Sequence, residues 1–471
     1  MRLLILTVPL LFGLTFTACI SDAISTSSSD ILSFSTDTVS FDTVFTGEGT
    51  PTARLIVHNR AKKGINISDI AFANPNTPFR LNVDGVSGFT FSDVEIRAKD
   101  SIYVFIECFL PETDAAKPAL TEDKLVFITN GVRQEVQVEA YGQNVTRLRA
   151  VTLETDTRFT AERPIVVFDS LVVAPDVTLT IEPGTQLLFH DKAAFTVRGR
   201  LIAEGEPGRL IDMRGDRLDN VLPDVGYDIL AGQWAGLTFA PESFDNVMSY
   251  VDMRSTKRGL RVDSCGTLDR QKLTLTDSWI HNSQATAFSS VHARVDAYGC
   301  VFSEAAEAVV SLTGGIHNFV QCTLANNYLF AAISQPLLCL YHLLPDDADG
   351  APAMPLMKAS FENGIIYGLA SDINTGDLEG TDVYLRNMLL RSAGDDDEHF
   401  VSCLWDSDPM FYTERADYYF NYRLRPDSPA IGSGNPAYVT PQCLIDIDGL
   451  NRLADGAPDL GAYVFEPVQS E

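Results

Sequence analysis

Asp277-Ser278-Trp279-Ile280, Gly299-Cys300-Val301-Phe302 and Gln321-Cys322-Thr323-Leu324 are three copies of one short pattern, with Ile280, Phe302 and Leu324 falling 22 residues apart. It continues outward as Tyr250-Val251-Asp252-Met253 on one side, and as Asn363-Gly364-Ile365-Ile366 and Asn387-Met388-Leu389-Leu390 on the other. Leu324 to Ile366 is 42 residues, which reads as one rung plus an inserted loop, and Ile366 to Leu390 is 24. Counting back two, five and seven residues from each anchor recovers small or apolar side chains, such as Ser278, Leu275 and Leu273, or Cys300, Ala297 and Val295. A step of two is a strand showing alternate side chains to one face, and the step of three between the pairs marks a bend or bulge. A second apolar run, Phe288, Val310 and Ala332, keeps the same spacing.

One such rung buries little alone, but rungs stacked about 4.8 Å apart turn equivalent positions into continuous interior columns. The expected architecture is therefore a right-handed parallel β-helix, its hand following the general rule for parallel crossovers. An antiparallel sandwich has period-two strands but no reason to repeat at one length.

The chain has 471 residues, 45% hydrophobic, with 63 acidic against 35 basic side chains and a formal charge of −28. That length accommodates two or three domains. Such a charge repels nucleic acid and other polyanions, leaving neutral glycans, metal ions or proteins as partners.

Arg2, the apolar run Leu3 to Phe16 and the small residues after it form an export signal rather than a membrane span. Its end, Phe16-Thr17-Ala18-Cys19, resembles a bacterial lipobox with Phe16 where leucine is usual. The resemblance implies cleavage before Cys19 and lipidation of its thiol, so that acyl chains anchor the protein to a membrane. Residues 1–18 are thus expected to be a lipoprotein signal peptide and 19–30, which are Ser-rich, a flexible tether. The expected location is the bacterial outer membrane, with exposure at the cell surface.

Seven further cysteines remain, an odd number without the close spacing of a zinc site. Cys300 and Cys322 occupy one position in successive rungs and are expected to form a buried thiol ladder rather than a disulfide.

Residues 31–145 read as an immunoglobulin-like β-sandwich, with strands at Thr38 to Phe45, Arg54 to Asn59, Ile65 to Phe72, Val94 to Ala98, Ser101 to Phe109, Lys124 to Thr129 and Glu135 to Tyr141. Phe41-Asp42-Thr43-Val44, Leu55-Ile56-Val57-His58-Asn59 and Ser101-Ile102-Tyr103-Val104-Phe105 look like the hydin and major-sperm-protein branch of that class, which implies a spacer or a protein-binding module.

Residues 146–420 are assigned to the solenoid. Leu179-Thr180-Ile181-Glu182-Pro183-Gly184-Thr185 and Gly232-Gln233-Trp234-Ala235-Gly236-Leu237 resemble the opening rungs of bacterial β-helix lipoproteins. Between them, Arg214 to Leu230 is expected to be a protruding loop. Residues 421–471 contain Asp427-Ser428-Pro429-Ala430-Ile431-Gly432 and Asp459-Leu460-Gly461-Ala462-Tyr463, and resemble the choice-of-anchor Q segment of bacterial β-helix surface proteins. They depart from it at Gly432, where the family has Asp, and at Val464, where it has Glu. A solenoid needs its last apolar layer covered, so this segment is expected to be a cap.

Parallel β-helices host polysaccharide lyases and hydrolases, so carboxylates on neighbouring rungs are the feature to look for. Asp252, Asp277, Asp296, Glu304 and Glu362 fall at solvent-facing positions but not in one register, and no pair faces a common sugar. Arg254 and Arg386 lack acidic partners in register and read as structural ion-pair formers. His317 occupies an inward position, as a satisfied core residue. His281 and His292 flank one rung and are candidate ligand contacts. The acidic insertions holding Asp346, Asp347 and Asp349, and Asp395, Asp396 and Asp397, are candidate ligand-binding loops. Asp446 and Asp448 are a candidate Ca²⁺ pair, although Asp-Gly turn chemistry accounts for them without a metal. No other cofactor is expected. The sequence points to an envelope- or surface-anchored lipoprotein whose β-helix is a scaffold for glycan or protein. The alternative is a polysaccharide lyase or glycoside hydrolase on the same scaffold.

Overall fold

The computed structural model describes residues 23–50, 52–113, 117–222, 225–343, 353–376, 378 and 381–467. Cys19 and the leader, together with Asp346, Asp347 and Asp349, lie outside the described residues. The fold is all-β and divides into two units, one of residues up to 143 without 114–117, the other of 114–117 and everything from 144 onward.

The first unit is a two-sheet sandwich. One sheet orders Leu32–Phe34, Ala53–Asn59, Ser101–Cys108, Phe79–Val83 and Val86–Gly88; the other has Thr38–Phe45, Val132–Gln143, Ala119–Thr129 and Ile65–Phe72, with Thr90–Phe91 and Val94–Ile96 both pairing on the last. Pairing is antiparallel except where Thr38–Phe45 runs parallel to Val132–Gln143. Alternation along the strands puts Leu55, Val57, Val104 and Ile106 from one sheet into the same core as Leu125, Phe127, Val136 and Val138 from the other. All seven expected strands are present. Ala119–Thr129 begins five residues before Lys124, because its polar residues still pair across the ladder, Thr121 opposite Ala140. The hairpin of Phe79–Val83 with Val86–Gly88 was not anticipated. It turns on Asp84 and Gly85, both at positive φ (49° and 87°), the geometry that Asp-Gly favours.

The second unit is a parallel β-helix. Its rungs stack in three parallel ladders, and the columns expected from the 22-residue period are present residue for residue. Met253 pairs with Ile280, Ile280 with Phe302, Phe302 with Leu324, Leu324 with Ile366 and Ile366 with Leu390. In another ladder Leu273, Val295, His317, Ala359 and Val383 stack in register. Phe288, Phe302, Phe319 and Phe361 form a chain of rings inside, with successive centroids 5.4, 5.7 and 5.0 Å apart.

The bend is a left-handed residue three positions before each anchor. Tyr250, Asp277, Gly299, Gln321, Asn363 and Asn387 have φ between 45° and 63°. Asp, Asn and Gly tolerate that region best, which explains their recurrence as the first residue of the motif. At Gly299 a Cβ would come within 2.3 Å of Asp277 Oδ1, so glycine is required there for space as well as conformation.

The second apolar run departs from the expectation after Val310. Leu338, not Ala332, lies beneath Val310, and Ala332 is exposed. Residues 327–336 leave the rung as an outward excursion before the strand Leu338–Tyr341 resumes it.

Arg214 to Leu230 does leave the solenoid, although Arg214 itself still belongs to the strand Ile211–Gly215. The excursion folds as a short hairpin, Asn220–Leu222 with Val225–Gly226, and a 3-10 turn at Tyr227–Ile229.

The closing segment covers the flank of the solenoid rather than its open end. Trp279, Val301, Ile365 and Leu389, with Thr323 between the two pairs, form an outward column that is mostly apolar where a solvated face would be polar. Tyr422, Ile447, Ala462 and Tyr463 pack on its first half, and Leu424, Ala430 and Leu460 on its second. Polar contacts fix the docking: Ala462 N–H donates to Thr323 Oγ1 (2.9 Å) and Asn435 N–H to Asn363 Oδ1 (2.8 Å). At the open end, Phe400–Val401 adds a last strand opposite Leu385 and Arg386, and Phe400 and Trp405 pack on the core.

Candidate functional site

The outward faces of three successive rungs converge on a cavity of about 650 Å³. The rungs supply Asp252 and Arg254, then Trp279, His281 and Asn282, then Ser303 and Glu304. One wall is the excursion Gly226–Ile229, another the loop Tyr328–Phe330, and the third the closing strap Asp417–Arg423 with Tyr463. The strap and loop bring five tyrosines and two phenylalanines to the opening.

Local geometry explains which side chains reach it. Two residues after each anchor, Ser255, Asn282 and Glu304 again take positive φ (64°, 57° and 42°). This second bend turns outward residues that strict alternation would bury in the core. Ser255 Oγ and Asn282 Nδ2 both donate to Asp228 O, at 2.6 and 2.7 Å, clamping the excursion against the rungs. A bulky polar residue such as Glu304 in this region is a locally costly conformation of the kind that collects at functional sites.

Arg254 is the electrostatic centre. Its guanidinium meets Asp252 at 2.7 Å, Asp212 at 2.8 Å and Asp228 at 3.0 Å, while Arg214 meets Asp228 at 3.1 Å. Asp212 and Asp252 lie opposite each other on adjacent strands. Burial pushes the Asp252 carboxyl up, but Arg254 and His281 outweigh it and hold the group well below the usual carboxylate range. At Asp212 burial prevails over Arg254, and the carboxyl is raised. His281 Nε2 lies 2.9 Å from Asp252 Oδ1.

Glu304 is chemically distinct from these acids. It is buried and has no guanidinium partner; Tyr422 Oη donates to its Oε1, and Ser303 and the Asn327 backbone N–H also bond it. Burial raises its carboxyl above the ordinary value, and the donors Ser303 and Tyr422 offset only part of that. Trp279 Nε1 donates to Tyr463 Oη (2.8 Å), and Arg423 stacks 4.6 Å over the Tyr463 ring.

The candidate residues from the sequence are scattered. His281 lines the cavity. His292 does not; it sits at the corner between Phe288–Val291 and Arg294–Tyr298, its N–H donating to Thr313 O (2.7 Å). Asp395 is exposed. Asp396 accepts from Ser402 N (2.6 Å), Cys403 N (3.1 Å) and Trp405 Nε1 (3.1 Å), and Asp397 Oδ1 from His399 N and Phe400 N. Those two acids shape the end of the solenoid. Asp446 accepts from Asp448 N, Leu450 N and Val464 N, and Asp448 is held by Arg423 at 2.6 and 2.8 Å. With their oxygens directed at these donors, the pair does not fit a Ca²⁺ shell, which needs six to eight oxygens. Among the described residues no three His, Cys, Asp or Glu side chains are grouped to hold a metal ion.

Three readings need correction. Arg254 has acidic partners on the adjoining rung and excursion, and Arg386 has one in Glu362 at 3.0 Å. Asp277 and Glu304 leave the solenoid core as expected, but they are buried, because the closing segment covers that flank. Asp252 and Glu304 do open on a common cavity, since the second bend offsets their different register. His317 is a core residue, its Nε2 2.8 Å from Gly314 O, and Cys300 and Cys322 are buried free thiols. The sequence reading passed over Tyr418-Tyr419-Phe420-Asn421-Tyr422, whose aromatic density was the available signal.

No protein-family model and no curated protein matches this chain. Among solved structures it is similar to a protein of unknown function from Porphyromonas gingivalis, at 13% identity and TM-score 0.19, over 26% of this chain and 60% of that one. It is also similar to a family 123 glycoside hydrolase from Clostridium perfringens, at 11% identity and TM-score 0.17, over 26% of this chain and 25% of that one. A PapD-like domain of human CEP192 matches at 12% identity and TM-score 0.17, over 24% of this chain and 84% of the domain.

Proposed function

We propose that this protein is a lipoprotein, anchored through Cys19 in a bacterial outer membrane, whose β-helix binds a glycan in the cavity between its rungs and its closing strap. The observation that carries the reading is the chemistry of the lining: aromatic rings beside fixed carboxylates and hydroxyls. A sugar has apolar C–H faces that pack on rings and hydroxyls that need oriented polar partners, and a largely preformed pocket supplies both. A protein ligand would find the same rings but has less use for a concave, acid-lined site.

A second reading, glycoside hydrolysis, draws on one feature: two carboxyls opening on one cavity, Glu304 raised and Asp252 lowered. Environments that push two carboxyls apart are what acid and base roles need. Glu304 would then donate the proton.

Binding is tested by titrating oligosaccharides into the lipid-free ectodomain. Trp279→Ala is expected to weaken the best binder by about tenfold or more, equivalent to ~1.4 kcal/mol. Wild-type affinity in that variant would rule this cavity out as the site. Release of reducing ends that stops in Glu304→Gln would favour the hydrolytic reading.

A further inference from the structure

We infer that the ligand of this cavity is a neutral or amino sugar and that uronic and sulfated glycans are excluded. The inference rests on the glycan reading and adds the substrate class. A site for an acidic sugar must offer a cation free to leave its present partner. Among the described residues the cavity has two guanidiniums, and neither is free. Arg254 is shared among Asp212, Asp228 and Asp252 at 2.7–3.0 Å. Arg423 grips Asp448 through two nitrogens at 2.6 and 2.8 Å. His281, the remaining basic side chain of the lining, faces Asp252 at 2.9 Å.

The acids are differently placed. Asp228, Asp252, Glu304 and Asp417 all line the cavity. The lining thus holds four acids against two guanidiniums, and Glu304 is buried with its donors already engaged, so an incoming carboxylate or sulfate would meet an excess of acid groups and no free donor there. A sugar hydroxyl or ammonium would instead meet acceptors. The formal charge of −28 adds long-range repulsion of polyanions. The rings remain available to the C–H faces of the sugar whatever its substituents.

The test is a glycan array carrying neutral, amino, uronate and sulfated oligosaccharides, probed with the ectodomain and followed by titration of the hits. Hits confined to neutral or amino sugars are expected. A uronate or sulfated oligosaccharide bound as tightly as the best neutral one would overturn the inference and leave the glycan reading standing. An array without hits in any class would overturn both. Asp252→Asn, checked for an unchanged melting profile, provides a second measurement because it releases His281 and loosens Arg254. Its affinity for uronate oligosaccharides is expected to rise by about tenfold or more. No rise would show that paired cations are not what excludes acids.

Discussion

Replacing Arg254 with methionine is expected to cost about 3–5 kcal/mol of stability at pH 7, the range for removing one partner of a buried ionic cluster. Its side chain is 13% exposed, and its removal leaves Asp212, Asp228 and Asp252 close together with only Arg214 and His281 beside them. The pH dependence separates this from lost packing. Asp252 is held below its usual range, so its stabilisation is present above the unfolded pKa of about 4 and is lost as pH falls through the lower folded value. In the variant that contribution shrinks to what His281 supplies, and the crowded acids gain relief by protonation. Calorimetry at pH 7 and pH 4 is expected to show a deficit that shrinks at the lower pH. Equal deficits would mean that volume, not charge, accounts for the loss.

Asp277→Asn is expected to act in the opposite direction. Asp277 is 3% exposed at the bend of its rung, and burial pushes its carboxyl up to about 7 against the lowering influence of Arg452. A raised folded pKa gives stability that is fully present below the unfolded value of about 4 and lost as pH rises towards 7. The slope approaches about 1.4 kcal/mol per pH unit. Asparagine already occupies the same bend at Asn363 and Asn387, with φ of 54° and 49°, so the backbone accepts it. Arg452 keeps its bonds to Gly461 O and Ala462 O. The variant is expected to lose this slope between pH 4 and 7 and to melt higher than the wild type at pH 8. A lower melting temperature at pH 8 would show that Asp277 is held there ionised by Arg452.

The solenoid was legible because its columns are one-dimensional. Each inward position repeats at a fixed offset from an anchor, and Leu273, Val295 and His317 can be aligned without knowing anything else about the fold. The bend was visible as a step of three, although neither its left-handed backbone nor its position at Tyr250, Asp277 or Gln321 could be read from that spacing. Ala332 failed because the period was extended through an excursion whose length no repeat constrains. The candidate site was less legible for two physical reasons. The second bend, at Ser255, Asn282 and Glu304, breaks the alternation from which outward positions are read. The strap that buries Asp277 and Glu304 comes from more than a hundred residues further along the chain, where no periodicity links Tyr422 to Glu304. The outward, mostly apolar column Trp279, Val301, Ile365 and Leu389 was a usable clue that something covers that flank.

The central claim is that the cavity between the rungs and the strap is where a sugar binds, and Trp279 reports on it directly. The chain has three tryptophans; Trp234 is buried in the core and Trp405 packs at the open end of the solenoid. Titration of the ectodomain with the neutral or amino oligosaccharide that scores highest on an array is predicted to change its tryptophan emission with saturation, and to leave that of Trp279→Phe unchanged. An equal, saturating change in Trp279→Phe would place the sugar elsewhere and contradict the account.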